Sequence, residues 1–325
     1  MSRWLVTGAG GMLGRDMTAR LAREGRAPVA LDRRALDLTD PAAVGSALAA
    51  HRPAVVVNCA AWTAVDDAES REPDALRING DGVRNLAAAC AARGVVLLHV
   101  STDYVFGGDA TAPYPETAVP APRTAYGRTK LAGERAVLDL LPTNGYVVRT
   151  AWLYGEGGAN FVRTMIRLEA TRDTLDVVDD QRGQPTWSAD LAHRLAQLGC
   201  AAVAGLAPPG IYHGTSGGEG SWCDLARETF RLLGADPARV RATTGAAFTR
   251  ASAGTTTAPR PAPRPAYSVL GHARWRAAGL DPIRDWRAAL AQALPALRAA
   301  AGPWVTAGAG ARAGAGVEVE AKTGS

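Results

Sequence analysis

The sequence predicts an α/β protein with a doubly wound parallel sheet and a smaller C-terminal α/β domain. Apolar strand runs alternate with stretches of helical spacing through the first 150 residues, which is typical of βαβ units. The strand runs are nearly continuous in Val and Leu, as expected for parallel strands covered on both faces. A glycine-rich turn follows the first strand directly, at the point where such sheets bind dinucleotides. These observations together indicate a Rossmann-type fold.

Taken in order, each apolar run is followed by a helical stretch. The predicted strands of the first half are residues 4–7, 28–31, 55–58, 95–100 and 145–149, with helices at 12–23, 41–51, 79–93 and 126–141. Further helices are predicted at 161–171, 188–203, 221–233, 272–278 and 283–297.

The second half of the chain is less regular. Dense proline over residues 251–266 predicts a loop, since proline disrupts helices and central strands. The Gly/Ala-rich tail, 301–325, is predicted to be disordered. We assign residues 1–150 to an NAD(P)-binding Rossmann domain. Residues 151–300 form mainly a substrate-binding domain, from which some segments can return to the Rossmann core.

Bulk properties exclude several classes of partner. The formal charge is only +5 and the arginines are scattered, which argues against nucleic-acid binding. No apolar run approaches the roughly 18 residues of a membrane span, and the N-terminus lacks the apolar region of a signal peptide. The four cysteines show no CxxC spacing, so no metal site is predicted. We expect a cytoplasmic protein without nucleic-acid or membrane partners.

The glycine-rich turn contains Gly8, Gly11 and Gly14 in GxxGxxG spacing. It ends the first strand and opens the first helix. Glycines there permit a tight turn and a close backbone approach, while the N–H groups of the helix N-terminus bind anions. The turn therefore predicts a site for a dinucleotide pyrophosphate.

The residues after the second strand give conflicting signals about the cofactor. Asp32 lies 18 residues after Gly14 and can accept hydrogen bonds from an adenosine ribose. Arg33 follows directly, and its guanidinium could hold a 2′-phosphate instead. The residues leave NADH and NADPH open; we expect NADPH to be used and NADH to be accepted.

Tyr126 and Lys130 lie one helical turn apart on one face of a predicted helix. A free phenol titrates near pH 10. A fixed cation nearby is expected to lower that value, so that the phenol can exchange a proton with a carbonyl oxygen. Of 36 basic residues only Lys130 and Lys322 are lysines. We therefore predict a catalytic pair, rather than a surface contact that arginine would serve equally well.

Polar side chains follow the fourth strand, in the segment Ser101–Phe106. They should lie at the carboxyl edge of the sheet, where open α/β sheets bind ligands. Thr102 can donate a hydrogen bond to the carbonyl that Tyr126 protonates.

In this order the motifs resemble those of the extended short-chain dehydrogenase/reductases, and among them the dTDP-4-dehydrorhamnose reductase branch. The resemblance runs from about residue 3 to about 297. It is carried by the strings Gly8–Gly14, Val55–Asp66, Ser101–Phe106, Tyr126–Glu134, Arg149–Gly155 and Asp180–Thr186.

The resemblance implies reduction of the C4 keto group of a dTDP-4-keto-6-deoxyhexose by NADPH or NADH, with Tyr126 as proton donor. The sugar would be dTDP-4-dehydrorhamnose or a related antibiotic-pathway sugar such as the streptose precursor. A homodimer is compatible with it. The implied catalytic residues are Tyr126, Lys130 and Thr102. The implied cofactor-binding residues are Gly8, Gly11, Met12, Leu13, Gly14, Asp32, Arg33, Asp37, Leu38, Ala61, Trp62, Thr63, Tyr126 and Lys130. The implied nucleotide-sugar-binding residues are Thr102, Asp103, Tyr104, Trp152, Asn160 and Arg264.

Two other functions are compatible with this resemblance. One is a non-catalytic NADP-binding subunit similar to the regulatory subunit of methionine adenosyltransferase. The other is a nucleotide-sugar epimerase or dehydratase, for which Asp103 would provide the acid. The intact Tyr126, Lys130 and Thr102 favour an enzyme, and the string Tyr104–Phe106 favours the reductase branch.

Overall fold

The computed structural model of the chain describes residues 2–253 and 261–301. Residues 254–260 of the predicted proline-rich loop and residues 302–325 of the predicted disordered tail lie outside the described residues. Within those ranges no helix combines the length and the apolar character that crossing a membrane requires.

The helices and strands follow the predicted alternation, with further short elements in the second half. The strands are β1 (Trp4–Thr7), β2 (Val29–Leu31), β3 (Val55–Asn58), β4 (Val96–Thr102), β5 (Gly145–Thr150), β6 (Leu153–Tyr154), β7 (Leu175–Val178), β8 (Arg182–Gly183), β9 (Thr186–Trp187), β10 (Gly210–His213), β11 (Ser216–Gly217), β12 (Gly220–Ser221), β13 (Val240–Thr243) and β14 (Ile283–Asp285). The α-helices are α1 (Met12–Arg23), α2 (Pro41–His51), α3 (Val65–Ser70), α4 (Glu72–Leu76), α5 (Gly82–Ala91), α6 (Ala125–Leu140), α7 (Phe161–Glu169), α8 (Ser188–Val203), α9 (Trp222–Leu232), α10 (Gly245–Ala253), α11 (Ala273–Ala277) and α12 (Trp286–Ala301). A π-helical segment covers Arg77–Asp81, and short 3₁₀ turns cover Asp103–Val105 and Pro237–Arg239.

Six strands form the central sheet in the order β10-β5-β4-β3-β1-β2, and every neighbouring pair is parallel. Apolar side chains cover both of its faces. Val55 and Val57 pack into the cluster formed with α1 and α8, whereas Val56 between them packs into the cluster formed with α2 and α5. This alternation follows from the two-residue period of a strand. The predicted doubly wound α/β class is confirmed.

Several segments beyond residue 150 lie in the core around the central sheet. Strand β10 pairs with β5 as the sixth strand, α8 packs against the sheet beside α1, and Trp275 of α11 and Ile283 of β14 belong to the same cluster. A second core joins α7, α9 and α12 around Phe230 and Trp286. A division of the chain at residue 150 stays a prediction.

Several predicted boundaries are wrong. The helix predicted at 79–93 is observed as the end of the π-helical segment followed by α5, which begins at Gly82. Helices α3 and α4, which precede it, were not predicted because their acidic residues interrupt the apolar spacing of a helix. The last helix begins at Trp286 rather than 283, since Ile283–Asp285 pairs with β11. Residues 251–253 continue α10 instead of belonging to the loop, because the prolines begin only at Pro259. Ala301 ends α12 and does not begin the tail.

A buried ion pair fixes α6 against the sheet. Arg149 on β5 donates two hydrogen bonds to Glu134 on α6, at 2.9 and 2.7 Å. The two side chains are 0% and 1% exposed, and the guanidinium lies 4.9 Å from the centre of the Phe106 ring. A bidentate contact of this kind sets the rotation and height of the helix.

Loss of one partner should therefore be costly. We expect Glu134→Gln to lower the free energy of unfolding by about 3–5 kcal/mol, because it leaves the buried guanidinium without a carboxylate. Urea denaturation measures this loss. The control is Asp176→Asn, whose partner is Arg241: that pair is more than half exposed and should contribute less than about 1 kcal/mol. Equal effects of the two substitutions would contradict the account.

Candidate active site

The candidate site lies along the carboxyl edge of the central sheet. Asn58 ends β3, Thr102 ends β4 and Thr150 ends β5, while the glycine-rich turn follows β1. Because these strands are parallel and in register, their ends meet at one edge. Residues far apart in the sequence are thereby brought together.

The glycine-rich turn has the geometry of an anion site. Gly8 has φ +64°, and a Cβ on it would lie 2.6 Å from the Ala60 nitrogen. A Cβ on Gly14 would lie 2.1 Å from the Gly8 oxygen, so both positions require glycine. Gly11 caps α1 without a side chain, and the first turn holds no acidic residue. The helix N-terminus beside Met12 and Leu13 thus fits a pyrophosphate.

The residues expected at the adenosine end follow β2. Asp32 accepts hydrogen bonds from the backbone N–H groups of Arg34 and Ala35, at 2.9 and 3.0 Å, and the Arg33 side chain is exposed. Hydrogen bonds from Thr39 lower the pKa of the exposed Asp37 carboxyl group. Leu38 is buried. The carboxylates order their own turns here, and their contact with a cofactor stays a prediction.

The loop Ala61–Thr63 is held in place by Asn79. Its amide oxygen accepts a hydrogen bond from the Trp62 N–H at 2.9 Å, and its amide nitrogen donates to the Trp62 carbonyl at 3.1 Å. The same nitrogen lies 3.1 Å from the Thr129 hydroxyl on α6. Asn79 belongs to the π-helical segment, and such segments frequently occur at functional sites.

Lys130 is buried, with 1% of its surface exposed. Its ammonium donates a hydrogen bond to the Val100 carbonyl at 2.7 Å and lies 3.5 Å from His99 Nε2. Burial lowers the pKa of Lys130 to about 8, against the opposing effects of Glu134 and Cys59. The lysine thus titrates close to neutral pH.

Tyr126 is buried on the same helix, with an edge-to-face ring contact to Tyr104 at 5.7 Å and a hydrogen bond between its hydroxyl and Thr102. The expectation of a lowered pKa is wrong: burial raises the pKa of Tyr126 above its ordinary value. Desolvation of the phenolate dominates, and Lys130 points towards Val100 and His99. The phenol therefore keeps its proton at neutral pH, as a proton donor must.

Thr102 and Asp103 complete the polar group around Tyr126. The Thr102 hydroxyl donates to the Asp103 carboxylate at 3.0 Å and accepts from the Tyr104 N–H at 3.2 Å. Burial raises the pKa of Asp103 to about 6. Hydrogen bonds from the Ser268 and Thr102 side chains oppose this rise.

Trp152 adopts a left-handed backbone conformation, φ +48°, which non-glycine residues rarely adopt. One face of its ring stacks on Trp222 at 3.6 Å. A Cβ on Gly183 would lie 2.5 Å from Cε2 of Trp152 and farther from the adjoining ring atoms Cζ2 and Nε1. That point is therefore above the plane of the indole ring and not beside its edge. No Trp222 atom is as near the point, so Gly183 covers the ring face opposite to Trp222. Trp152 can therefore meet a ligand with its edge, which favours flanking a sugar over stacking on it.

The last two predicted substrate residues differ in their surroundings. Asn160 caps α7 by accepting from the Arg163 N–H at 3.1 Å and donating to the Gly155 carbonyl at 2.8 Å. Its hydrogen bonds thus stay within the segment Gly155–Arg163, at the start of α7. Arg264 forms an ion pair with Asp66 at 2.6 Å, is hydrogen-bonded to Tyr104, and borders a cavity of about 210 Å³. The structure brings Arg264, but not Asn160, to the group around Tyr126.

Sequence reasoning missed several residues that build the site: Asn58, Asn79, His99, Gly183 and Trp222. One signal was readable, since His99 is the one polar residue in the apolar strand run Val95–Val100. The partners of the others depend on strand register and on contacts between distant segments.

Comparison with known proteins identifies the family and agrees with the fold. The model of the family described as "RmlD substrate binding domain" matches residues 2–299. A Streptomyces griseus protein named dTDP-4-dehydrorhamnose reductase is 63% identical over 92% of this chain and 95% of its own length. A Streptomyces niveus protein named dTDP-4-keto-6-deoxy-D-glucose reductase is 54% identical over 91% of this chain and 98% of its own.

A solved structure agrees with these matches. The Bacillus anthracis dTDP-4-dehydrorhamnose reductase, crystallised in complex with NADP, superimposes with a TM-score of 0.81. It is 35% identical, and the match covers 90% of this chain and 98% of that one.

The packing of Trp152 between Gly183 and Trp222 can be tested without substrate. Gly183→Ala would place a methyl group 2.5 Å from the Trp152 ring, so the ring must move and its stacking on Trp222 should weaken. We expect the circular-dichroism signal of the coupled indoles to fall, whereas dinucleotide affinity should stay within about twofold, or roughly 0.4 kcal/mol.

The matched control for this substitution is Gly45→Ala on α2, where an added Cβ would meet no atom within 4 Å. It should leave the spectrum unchanged. An unchanged spectrum in Gly183→Ala as well would show that Gly183 does not cover the ring.

Proposed function

This chain belongs to the RmlD substrate-binding family, and we propose that it reduces the C4 keto group of a dTDP-4-keto-6-deoxyhexose, using NADPH. The observation that carries the proposal is the placement of Tyr126 beside Thr102, at the same sheet edge as Lys130 and the glycine-rich turn. The names of the relatives support a dTDP-linked sugar. The names of the two Streptomyces relatives support dTDP-4-dehydrorhamnose or a related antibiotic-pathway sugar as the substrate.

The residues present fit a nicotinamide dinucleotide. Gly8 and Gly14 permit the tight turn, because a Cβ on either would meet the backbone of a neighbouring residue, and the N-terminus of α1, which no side chain caps, supplies N–H donors for the pyrophosphate. The exposed Arg33 would hold a 2′-phosphate, which favours NADPH, as does the NADP bound by the Bacillus anthracis relative. NADPH supplies the hydride when bound.

Tyr126 and Thr102 act on the carbonyl oxygen. The Thr102 hydroxyl must exchange its hydrogen bond to Asp103 for one to the carbonyl oxygen, which it then orients and polarises. The Tyr126 phenol transfers its proton to the oxygen as negative charge develops there. Tyr126 becomes a phenolate, which must regain a proton before the next turnover, and Lys130, one helical turn away on the same helix, would help to hold the dinucleotide. Tyr126 holds its proton at neutral pH before each turnover, as a phenol of ordinary pKa also would.

The remaining residues recognise the substrate. Asp103 offers its carboxylate to a sugar hydroxyl, and Trp152 flanks the sugar with its ring edge. Arg264 offers positive charge to the nucleotide diphosphate. We also propose a cytoplasmic location, which the reductase names of the relatives support, and a homodimer, which the mass of the protein in solution would test.

The catalytic pair is tested by two substitutions. Tyr126→Phe should lower kcat with dTDP-4-dehydrorhamnose by about 10²–10⁴-fold, because a positioned acid contributes that much. Lys130→Arg should lower it by at least about tenfold, or 1.4 kcal/mol, since a planar guanidinium cannot replace a buried ammonium. Steady-state rates of NADPH oxidation measure both.

Tyr146→Phe is the control for the first substitution. Tyr146 is also buried and donates its hydroxyl proton to the Ala207 carbonyl at 2.7 Å, away from the site. Its removal should leave kcat within about twofold. A reductase that is active in wild type and unaffected by Tyr126→Phe would exclude Tyr126 as the proton donor.

Cofactor choice is a separate prediction. Arg33→Ala should reduce kcat/KM for NADPH at least about tenfold (1.4 kcal/mol) and leave the NADH value nearly unchanged, because the lost guanidinium contacts only the 2′-phosphate. Arg52→Ala, at the end of α2, serves as a control for the loss of one positive charge. Equal losses with both cofactors would show that Arg33 does not read the phosphate.

A further inference from the structure

A chain of buried hydrogen bonds connects three strands to Lys130. Asn58 Oδ1 accepts from the Thr7 hydroxyl at 2.6 Å and from the Ala60 N–H at 3.1 Å. Asn58 Nδ2 lies 3.0 Å from His99 Nδ1, and His99 Nε2 lies 3.5 Å from the Lys130 ammonium. Thr7, Asn58 and His99 are each 0% exposed. Solvent water therefore cannot replace any of these hydrogen-bond partners.

The direction of these bonds follows from the backbone. The Ala60 N–H can only donate, so the Asn58 oxygen must face it and the Asn58 NH₂ must face His99. An NH₂ group also only donates, so His99 Nδ1 must accept. Burial, with the charge of Lys130, holds the pKa of His99 well below its ordinary value, so the ring is neutral and has one proton. That proton must lie on Nε2, facing Lys130.

The N–H group at His99 Nε2 therefore faces the Lys130 ammonium, which is also a hydrogen-bond donor. An ammonium has three N–H groups and no acceptor, whereas a neutral amine can accept from Nε2–H. The other groups that face Lys130 act differently: Glu134, on its own helix, and Cys59, at the end of β3, raise its pKa. Tyr126 lies one helical turn away on the same face. His99 is thus a neighbour on β4 that opposes the charged lysine.

We propose that Asn58 and His99 are positioning residues of this site: Asn58 holds His99 in the Nε2–H tautomer, and this N–H disfavours the charged form of Lys130. The consequence for catalysis rests on the proposed function, because a lysine held near neutrality sets the basic limb of the pH–activity profile. The tautomer and the titration of Lys130 do not depend on any reaction.

The first measurement needs no substitution at Asn58. Two-bond ¹H–¹⁵N correlation spectra distinguish the two ring nitrogens of the five histidines, and His99→Phe identifies the His99 signals. We expect His99 to have a protonated Nε2 and an unprotonated Nδ1 from pH 6 to 9. A proton on Nδ1, or a doubly protonated ring, would overturn the proposal.

The second measurement reverses the tautomer. The carboxylate in Asn58→Asp can accept from both Ala60 and His99, so the proton should move to Nδ1 and Nε2 should accept from Lys130. The chain has only two lysines, so [ε-¹³C]lysine gives two signals, and Lys130→Arg identifies the one that belongs to Lys322. We expect the titration midpoint of Lys130 to rise by at least about one pH unit, a tenfold change in proton affinity.

The new negative charge could raise that midpoint by itself, and a double-mutant cycle separates the two causes. His99→Phe keeps a ring of similar size but removes the N–H, so Asn58→Asp in that background should raise the midpoint less than half as much. An equal rise in both backgrounds would assign the effect to charge alone and overturn the proposal.

In active protein the basic limb of the kcat/KM profile should move with the titration midpoint of Lys130. Absence of reductase activity would count against the proposed function but leave the spectroscopic result standing.

Discussion

The burial of one ammonium group constrains the rest of this structure. Lys130 lies almost fully out of water, and a charge in such a place is costly unless it is compensated. The Val100 carbonyl and the nearby carboxylate of Glu134 provide that compensation. Both depend on the exact seating of α6 against β4 and β5, which the Arg149–Glu134 pair fixes. The same seating places Tyr126 against Thr102, so the stability of the core and the geometry of the site share one set of contacts.

Most of the fold was predictable because its signals are local. Near-continuous apolar runs such as Val55–Asn58, separated by helical spacing, identify parallel strands without knowledge of their neighbours. The failures lie where local signals are weak or misleading. Helices α3 and α4 are acidic and depend on packing against α6, and β10 is recognisable only once β5 is there to pair with it. Trp286 begins a helix three residues late because β14 is paired with β11.

The same distinction applies to the site. The glycine-rich turn and the Tyr126–Lys130 pair are contiguous motifs, and their chemistry could be inferred from spacing. Asn58, His99, Trp222 and Gly183 act through register and stacking between distant segments, which spacing does not contain. The direction of the Tyr126 pKa shift was wrong for a related reason: a sequence gives the neighbours of a phenol but not its desolvation. Burial raises the pKa of Tyr126, so the phenol keeps its proton at neutral pH but is a weaker acid than the expected lowering would have made it.

The central claim is that a hydride reaches C4 of the dTDP-linked sugar while Tyr126 supplies the proton. It is tested most directly with NADPH deuterated at either face of the nicotinamide C4, followed by NMR spectroscopy of the sugar product. The account predicts that the deuterium from one face appears at C4 of the sugar, with no deuterium at C3 or C5. Deuterium at another sugar carbon, or an unlabelled product with the cofactor returned unchanged, would contradict it.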